Sequence, residues 1–406
     1  MAPRRAEPRP CPVLTSRSHI RIACFAGIAV FAMSSQVMPP GLESIAEDFT
    51  LTAFRRGSLF AFQYAGYFAT SLVGGWASDH FGRKRFLCLG FYLTALGLVS
   101  ASFAPGYGAL AASMMLIGGG GGFVEALTSV LISDLYAEQS GRQLNLSQIF
   151  YNVGAIGMSF AVGWALGMGL GWRPGYLFGA ALAVGCGAWI NFLTIPVARR
   201  HDASGEAHLG SSGWLVAVLA GAMLMYVGAE MTVNSWSANY LSETFGMARS
   251  SAAYSLSLFW FTMLVGRMVY ARIVESLGYL PPIVFSCLLG AVGGAVMVFS
   301  PSGTVAFAGV GLTGLALAGV WPTVLAYAGT RFPTRSGRVF GIIVSCGSLG
   351  LVVFPAAAGA VADLTPWGLR AGMALVPALL LAIAGVAGWL WARDRRRGSV
   401  TATGTV

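Results

Sequence analysis

Twelve long apolar runs dominate the sequence and restrict the folds that it can adopt. Each is close to the roughly 20 residues that an α-helix needs to cross a bilayer. Hydrophobic residues make up 56% of the 406 residues and charged residues only 10%, whereas a soluble domain carries about 25% charged residues. This composition excludes most soluble folds. The runs cover residues 20–39, 57–78, 86–104, 108–135, 144–170, 175–196, 213–241, 251–275, 282–299, 305–330, 339–362 and 369–391.

The basic residues cluster in short segments between the apolar runs and give a net charge of +10. A basic chain can bind nucleic acid, but clusters between apolar runs are typical of the cytoplasmic loops of membrane proteins. With both termini inside, 19 basic residues lie on the cytoplasmic side and five on the other. The sequence therefore predicts a multi-pass protein of the cell (inner) membrane with both termini in the cytoplasm and no nucleic-acid partner.

One polar stretch divides the twelve runs into six and six, and the two halves resemble each other. A shift of 196 residues superposes Asp79 on Glu275 and the tripeptide Ser140-Gly141-Arg142 on Ser336-Gly337-Arg338. We therefore predict an all-α membrane protein of twelve transmembrane helices in two pseudo-symmetric six-helix bundles. The predicted segments are a cytoplasmic tail at 1–18, an N-terminal bundle at 19–196, a cytoplasmic linker at 197–212, a C-terminal bundle at 213–392 and a cytoplasmic tail at 393–406.

The loop between the second and third runs carries a dense motif of small and charged residues. It contains Gly75, Asp79, Gly82, Arg83 and Lys84 in the pattern GxxxDxxGRK. Taken alone it could be an ordinary basic loop, in which glycine permits a tight turn and the bases anchor the chain at the membrane surface.

This pattern, between spans two and three of twelve, resembles the signature of the major facilitator superfamily. The resemblance implies two bundles that rock about a central site, so that each face opens in turn. It also implies that the loop holds the inner side closed through Asp79 and Arg83. Asp134, at the inner end of span four, is the expected partner of Arg83.

Four stretches, at residues 118–157, 226–241, 254–267 and 319–323, resemble the fucose permease-type sugar:proton symporters within that superfamily. This narrower resemblance implies sugar transport by symport with protons. The sequence departs from that group at Ser35, which stands at the place of a first-span aspartate, and at Tyr151, which stands at the place of an asparagine. The two-acid coupling scheme of that group therefore does not carry over whole.

Two carboxylates, Glu125 and Glu230, lie near the middle of apolar runs. A charged carboxylate at bilayer depth costs several kcal/mol, so it faces a cavity or a partner or is protonated. We predict that both couple transport to protons. The alternatives are a structural Glu125 bonded to Gln148 or Tyr151, and a fixed buried pair at Glu230. Arg267, near the inner end of its span, is expected to extend to the membrane interface.

Amide and aromatic side chains accompany these carboxylates, as in sites that bind sugars. Any one of these aromatic residues could equally belong to helix packing or to the interfacial belt. The predicted substrate-binding residues are Gln63, Tyr64, Tyr67, Gln148, Tyr151, Asn152, Asn234, Trp236, Asn239, Trp260 and Trp321.

The function predicted from these features is secondary active transport of a small polar solute, most simply a sugar, by alternating access with proton coupling. The chain carries no Walker loop, and we expect no cofactor, no metal and no enzymatic activity. The expected partners are the solute, protons and the lipid bilayer, with the chain acting as a monomer. Two alternatives remain open: efflux of a metabolite or drug, and a non-transporting membrane sensor on the same fold.

Overall fold

The computed structural model describes residues 17–136, 140–195, 213–332 and 336–402, and these form fifteen helices. Side chains are described except at residues 72, 74–81, 140–142, 145, 271–276, 336–338 and 397–402. The predicted linker at 197–212 and the first sixteen residues lie outside this part. The helices are α1 (Arg17–Ser35), α2 (Met38–Asp48), α3 (Ala53–Phe81), α4 (Arg83–Ser102), α5 (Tyr107–Leu135), α6 (Ser140–Gly167), α7 (Arg173–Phe192), α8 (Gly213–Phe245), α9 (Arg249–Leu277), α10 (Leu280–Phe299), α11 (Gly303–Leu317), α12 (Val320–Arg331), α13 (Ser336–Leu364), α14 (Leu369–Met373) and α15 (Leu375–Ala402).

These helices form twelve spans in two six-helix bundles, as predicted. Among the described residues, eleven helical segments are long and apolar enough to cross a membrane, and α3, with 29 residues, is long enough as well. Three spans consist of two helices each: α1 with α2, α11 with α12, and α14 with α15. From the sequence, each of these spans is predicted as a single uninterrupted run.

The two bundles repeat with the 196-residue period that the sequence indicates. Shifting α3 by 196 residues gives the bounds of α9, and shifting α5 gives the combined bounds of α11 and α12. The turn that follows α3 contains Gly82 at φ 97°, and the turn that follows α9 contains Gly278 at φ 75°. Side chains other than hydrogen are strained in this left-handed region, so each half needs its glycine at the same turn.

Two helices extend past predicted segment boundaries, for local reasons. The first run was expected to end at Pro39, but helix resumes after a short break and continues to Asp48. Pro39 and Pro40 lie in the first turn of α2, where a missing backbone N–H costs nothing. The tail predicted to start at residue 393 is also helical, because α15 continues to Ala402, and Asp394 in that segment forms an ion pair with Arg331 of α12.

Glycines bring the helices of each half into backbone contact. A Cβ atom at Gly118 of α5 would overlap the carbonyl oxygen of Gln63 on α3. The equivalent contact in the other half joins Gly314 to the carbonyl oxygen of Phe259. Small residues at helix crossings are the main means by which helices pack closely in a membrane. The close approach of α5 to α3 places the next two turns of both helices side by side, and these turns carry Glu125 and Tyr67.

Candidate functional site

Glu125 of the N-terminal half is held by an aromatic neighbour on α3. The hydroxyl of Tyr67 donates a hydrogen bond of 2.7 Å to Oε2 of Glu125. The ring of Tyr67 stacks on Phe31 with centroids 6.0 Å apart, and Phe31 also contacts the ring of Tyr151 at 5.8 Å. Glu125 retains partial exposure. Its partner is therefore Tyr67, rather than the Gln148 or Tyr151 considered from the sequence.

The C-terminal half contributes a second polar group from α8 and α9. The indole Nε1 of Trp260 donates a hydrogen bond of 3.0 Å to Oδ1 of Asn234. Glu230 lies one turn before Asn234 on the same face of α8 and is buried, with 8% of its surface exposed. One further turn back, the hydroxyl of Tyr226 donates to the carbonyl oxygen of Leu317 at 3.1 Å. The hydroxyl of Tyr226 also lies within hydrogen-bonding reach of Glu230, whereas Asn234 and Trp260 bond to each other.

Arg267 lies two turns after Trp260 on α9 and does not extend to the interface, so that expectation is wrong. Its Nη1 atom is buried and has no hydrogen-bond partner among the described residues. Its charge acts on Glu230 and on Tyr226 of the neighbouring helix α8. The apolar residues around Arg267 on α9 made it look like an interfacial arginine, but its Nη1 atom lies in the protein interior.

The two polar groups meet at the interface of the bundles. Tyr151 of α6 contacts Trp260 of α9 edge-on, with ring centroids 5.4 Å apart. The hydroxyl of Tyr64 lies 3.3 Å from Sδ of Met231. Electrostatically, Tyr151 interacts with both carboxylates and with Arg267. We call this set the central cluster: Tyr64, Tyr67, Glu125, Tyr151, Glu230, Asn234, Trp260 and Arg267.

The remaining predicted binding residues lie outside the set that we call the central cluster. Asn152 and Gln63 are buried beside cluster residues along their helices, and both amide atoms of Asn152 lack a described hydrogen-bond partner. Gln148 and Trp321 are half-buried. Trp236 donates to the carbonyl oxygen of Pro355 at 2.9 Å and so serves helix packing. Asn239, two turns beyond the cluster, donates to Glu243 at 2.7 Å.

Two ion pairs join the bundles at the face opposite the termini. Arg56 of α3 pairs with Glu243 of α8, and Arg249 of α9 pairs with Glu47 of α2. Glu47 and Glu243 are themselves related by the 196-residue shift, whereas the two arginines fall three residues apart after the same shift. Arg249 also reaches Glu43 at 3.2 Å. This set, which we call the outer lock, was not predicted from the sequence, although the repeated glutamate was a signal for it.

Asp363 closes the same face by capping α3 from the other bundle. Its carboxylate accepts hydrogen bonds from the backbone N–H groups of Ala53 at 3.0 Å and Phe54 at 2.7 Å. These are unsatisfied donors at the positive end of the helix dipole, where a carboxylate is favourable. Gly359, one turn earlier on α13, lies against the backbone of Ala53. Helices α3 and α13 are therefore in backbone contact at this face.

At the face that carries the termini, ion pairs stay within one bundle. Arg83 pairs with Asp134 in the N-terminal half, as the sequence predicts, and Arg331 pairs with Asp394 in the C-terminal half. Among the described side chains, no ion pair crosses between the bundles here. The conformation is thus closed at the face opposite the termini. Lys84 is half-buried beside Arg83. Gly75 and Asp79 belong to the residues whose side-chain surroundings are not described. A gating role for this loop stays a prediction.

A reversible cross-link offers a test of whether the outer face must open. A Cβ atom at Gly167 of α6 would lie 3.3 Å from Cβ of Ser250 on α9, close to the spacing in disulfides. We expect oxidised Gly167→Cys/Ser250→Cys protein to lose solute exchange and to regain it on reduction, because the bundles could not separate at that face. The measurement is counterflow in proteoliposomes.

Each single cysteine variant is the control for that experiment, since the described native cysteines are retained in all three proteins. Both single variants should exchange solute at the same rate before and after oxidation. Full exchange by the oxidised double variant, with the cross-link verified by mass spectrometry, would show that the outer face does not open.

The fold and the buried charged cluster between two repeated bundles define a membrane transporter, not an enzyme. The Major Facilitator Superfamily sequence profile matches residues 24–227 and 218–405. The chain belongs to this superfamily.

Relatives and solved structures agree with that assignment. A TsgA homolog of Serratia proteamaculans is 22% identical over 315 residues, which cover 76% of this chain and 79% of the relative. A TsgA homolog of Yersinia pseudotuberculosis is 20% identical over 375 residues, which cover 91% of this chain and 95% of the relative. A bacterial homolog of the human lysosomal transporter Spinster, solved in an inward-facing and occupied conformation, has a TM-score of 0.79 at 15% identity, covering 95% of this chain and 98% of that one. A D-xylose–proton symporter has a TM-score of 0.76 at 17% identity, covering 91% and 97%.

Proposed function

We propose that this transporter moves a small polar, sugar-like solute together with protons. One observation carries the proposal: carboxylates from both bundles, Glu125 and Glu230, border a single cluster of amide and aromatic side chains at the bundle interface. Amides and rings suit a hydroxylated solute, because they offer hydrogen bonds and flat apolar surfaces. A buried carboxylate exchanges a proton at low cost only when its charge is balanced. The solute and the proton would therefore share one site.

The proposed cycle uses the two faces of the molecule in turn. In the proposed orientation, both termini lie in the cytoplasm of an inner membrane, and the outer lock closes the external face in the conformation observed. Breaking the Arg56–Glu243 and Arg249–Glu47 pairs would let the bundles rock, with Arg83 and Asp134 taking part in closure of the inner face. Protonation of Glu125, together with Glu230, would license the loaded carrier to reorient, because a neutral site crosses the low-dielectric interior at lower cost. The D-xylose–proton symporter among the structural neighbours supports this type of coupling.

Flux measurements test the proposal. Purified protein is screened by thermal stabilisation against neutral sugars, sugar acids, nucleosides and amino acids, and the solutes that stabilise it are used in proteoliposomes. We expect an inward-directed proton gradient to drive uptake of such a solute above its external concentration. Accumulation unaffected by the gradient or by an uncoupler would contradict proton coupling. Export from cells, with no uptake in either vesicle orientation, would favour the efflux alternative.

A further inference from the structure

Arg267 has hydrogen-bonding capacity that the protein itself does not use. Its Nη2 atom contacts only Sδ of Met263, at 3.8 Å in its own helix, and Nη1 is buried without a described partner. Guanidinium groups carry five N–H donors in a planar fork and stay charged at any physiological pH. A half-buried arginine at this depth with unused donors is costly unless something else binds it.

Glu230 balances the charge of Arg267 without occupying its donors. The two charges act on each other, yet the two described side chains form no ion pair within 4.0 Å. Trp260, two turns earlier on the same face of α9, places the ring of Tyr151 next to this region. The guanidinium of Arg267 therefore lies within the central cluster, and its Nη1 atom has no described hydrogen-bond partner.

We propose that Arg267 binds the carboxylate of the transported solute, so that the substrate is a hydroxylated monocarboxylate such as a sugar acid. This inference rests on the proposed function and narrows it from polar solutes in general to singly charged anions. A planar carboxylate matches the arginine fork in a two-bond arrangement that a neutral hydroxyl group cannot form. The amides and rings of the cluster remain for the hydroxylated part of the molecule.

Charge balance links this binding step to the proton. The titratable or charged groups that face Glu230 are Tyr226 on its own helix, Tyr64 on α3, Tyr151 on α6 and Arg267 on α9. Once a carboxylate occupies Arg267, Glu230 has no counter-charge among them, and one proton taken up by the two carboxylates of the central cluster, Glu230 and Glu125, restores the net charge that the site had before loading. A solute with two negative charges would leave one charge unbalanced. The anion and one proton are therefore expected to load together.

Matched pairs of solutes test the inference directly. Binding of D-glucose and D-glucuronate, and of D-galactose and D-galacturonate, is measured by calorimetry on the full-length protein in nanodiscs. Wild-type protein should prefer the acid of at least one pair by about tenfold or more, the usual effect of a charge-assisted hydrogen-bond pair. Arg267→Gln should remove that preference, so that the acid and its neutral partner bind within about twofold of each other. Arg267→Lys should keep part of it.

Controls separate a folding defect from loss of the binding group. Arg55→Gln removes one positive charge at the outer face, where the side chain lies over the ring of Tyr107, 5.5 Å from its centroid, and should keep the acid preference. All variants must elute from size-exclusion chromatography at the same volume as the wild-type protein, and their melting temperatures must lie within a few degrees of the wild-type value. Equal binding of acid and neutral partners by the wild type, failure of every acid to bind, or an acid preference unchanged in Arg267→Gln would overturn the inference. Proton-driven uptake of a neutral solute would leave the proposed function standing and this inference wrong.

Discussion

Replacing Glu125 with glutamine is expected to abolish proton-driven accumulation of the solute while leaving exchange intact. Glutamine keeps the size of the side chain and can still accept the hydrogen bond from Tyr67, but it cannot release a proton. A two-unit pH gradient is worth about 2.7 kcal/mol, or roughly 100-fold accumulation with one proton per solute. In the variant the ratio of internal to external solute should stay near unity. The measurement is uptake in proteoliposomes with an imposed pH gradient, followed by counterflow without one.

A matched acid elsewhere in the same bundle provides the control for this variant. Asp48 pairs with Arg173 at 2.7 Å and accepts a hydrogen bond from the indole of Trp172 at 2.9 Å, within the N-terminal half and away from the central cluster. Asp48→Asn should therefore keep gradient-driven accumulation, with at most a modest loss of stability. Undiminished uphill uptake by Glu125→Gln would remove Glu125 from the coupling role, and Glu230→Gln would then become the decisive variant.

The largest structural effect is expected from Gly118→Val in α5. The added side chain would overlap the backbone carbonyl of Gln63, which belongs to a helix and cannot rotate out of the way. Forcing extra carbon into such a contact costs about 3 kcal/mol or more, and separation of α3 from α5 would also break the Tyr67–Glu125 hydrogen bond. We expect little or no monodisperse protein from Gly118→Val, measured by fluorescence-detected size exclusion of a fusion protein.

Gly108, in the first turn of the same helix, allows the same substitution where a Cβ would meet no atom within 4 Å. Gly108→Val should give a yield of folded protein within about twofold of wild type, since valine meets no atom at this exposed position and has a slightly higher helix propensity than glycine. If Gly118→Val were as abundant and as thermally stable as Gly108→Val, the backbone contact between α3 and α5 would not be essential to the bundle.

Features that depend on chain composition or on repetition could be predicted from the sequence. The spans follow from the length of apolar runs, and the twofold architecture follows from a period that Gly82 and Gly278 retain at equivalent turns. Glu125 and Glu230 stood out because carboxylates in the middle of apolar runs are rare.

Features that depend on pairing between distant residues could not be predicted in the same way. The outer lock joins Arg56 to Glu243 and Arg249 to Glu47, which are 187 and 202 residues apart, and each residue alone looks like an ordinary charged helix end. The Nη1 atom of Arg267 is buried, and its charge acts on Glu230 of another helix, which the sequence of α9 alone does not show. Asn239 and Trp236 share residue types with sugar sites, but their partners Glu243 and Pro355 assign them to the lock and to packing.

Simultaneous recording of solute entry and internal pH in one proteoliposome preparation tests proton-coupled transport most directly. With the solute that best stabilises the purified protein, and with no pH gradient imposed, downhill entry of the solute should acidify the vesicle interior in a fixed ratio to the solute that enters. Glu125→Gln should admit the solute with no change in internal pH. Rapid solute entry through the wild-type protein at constant internal pH would contradict the account.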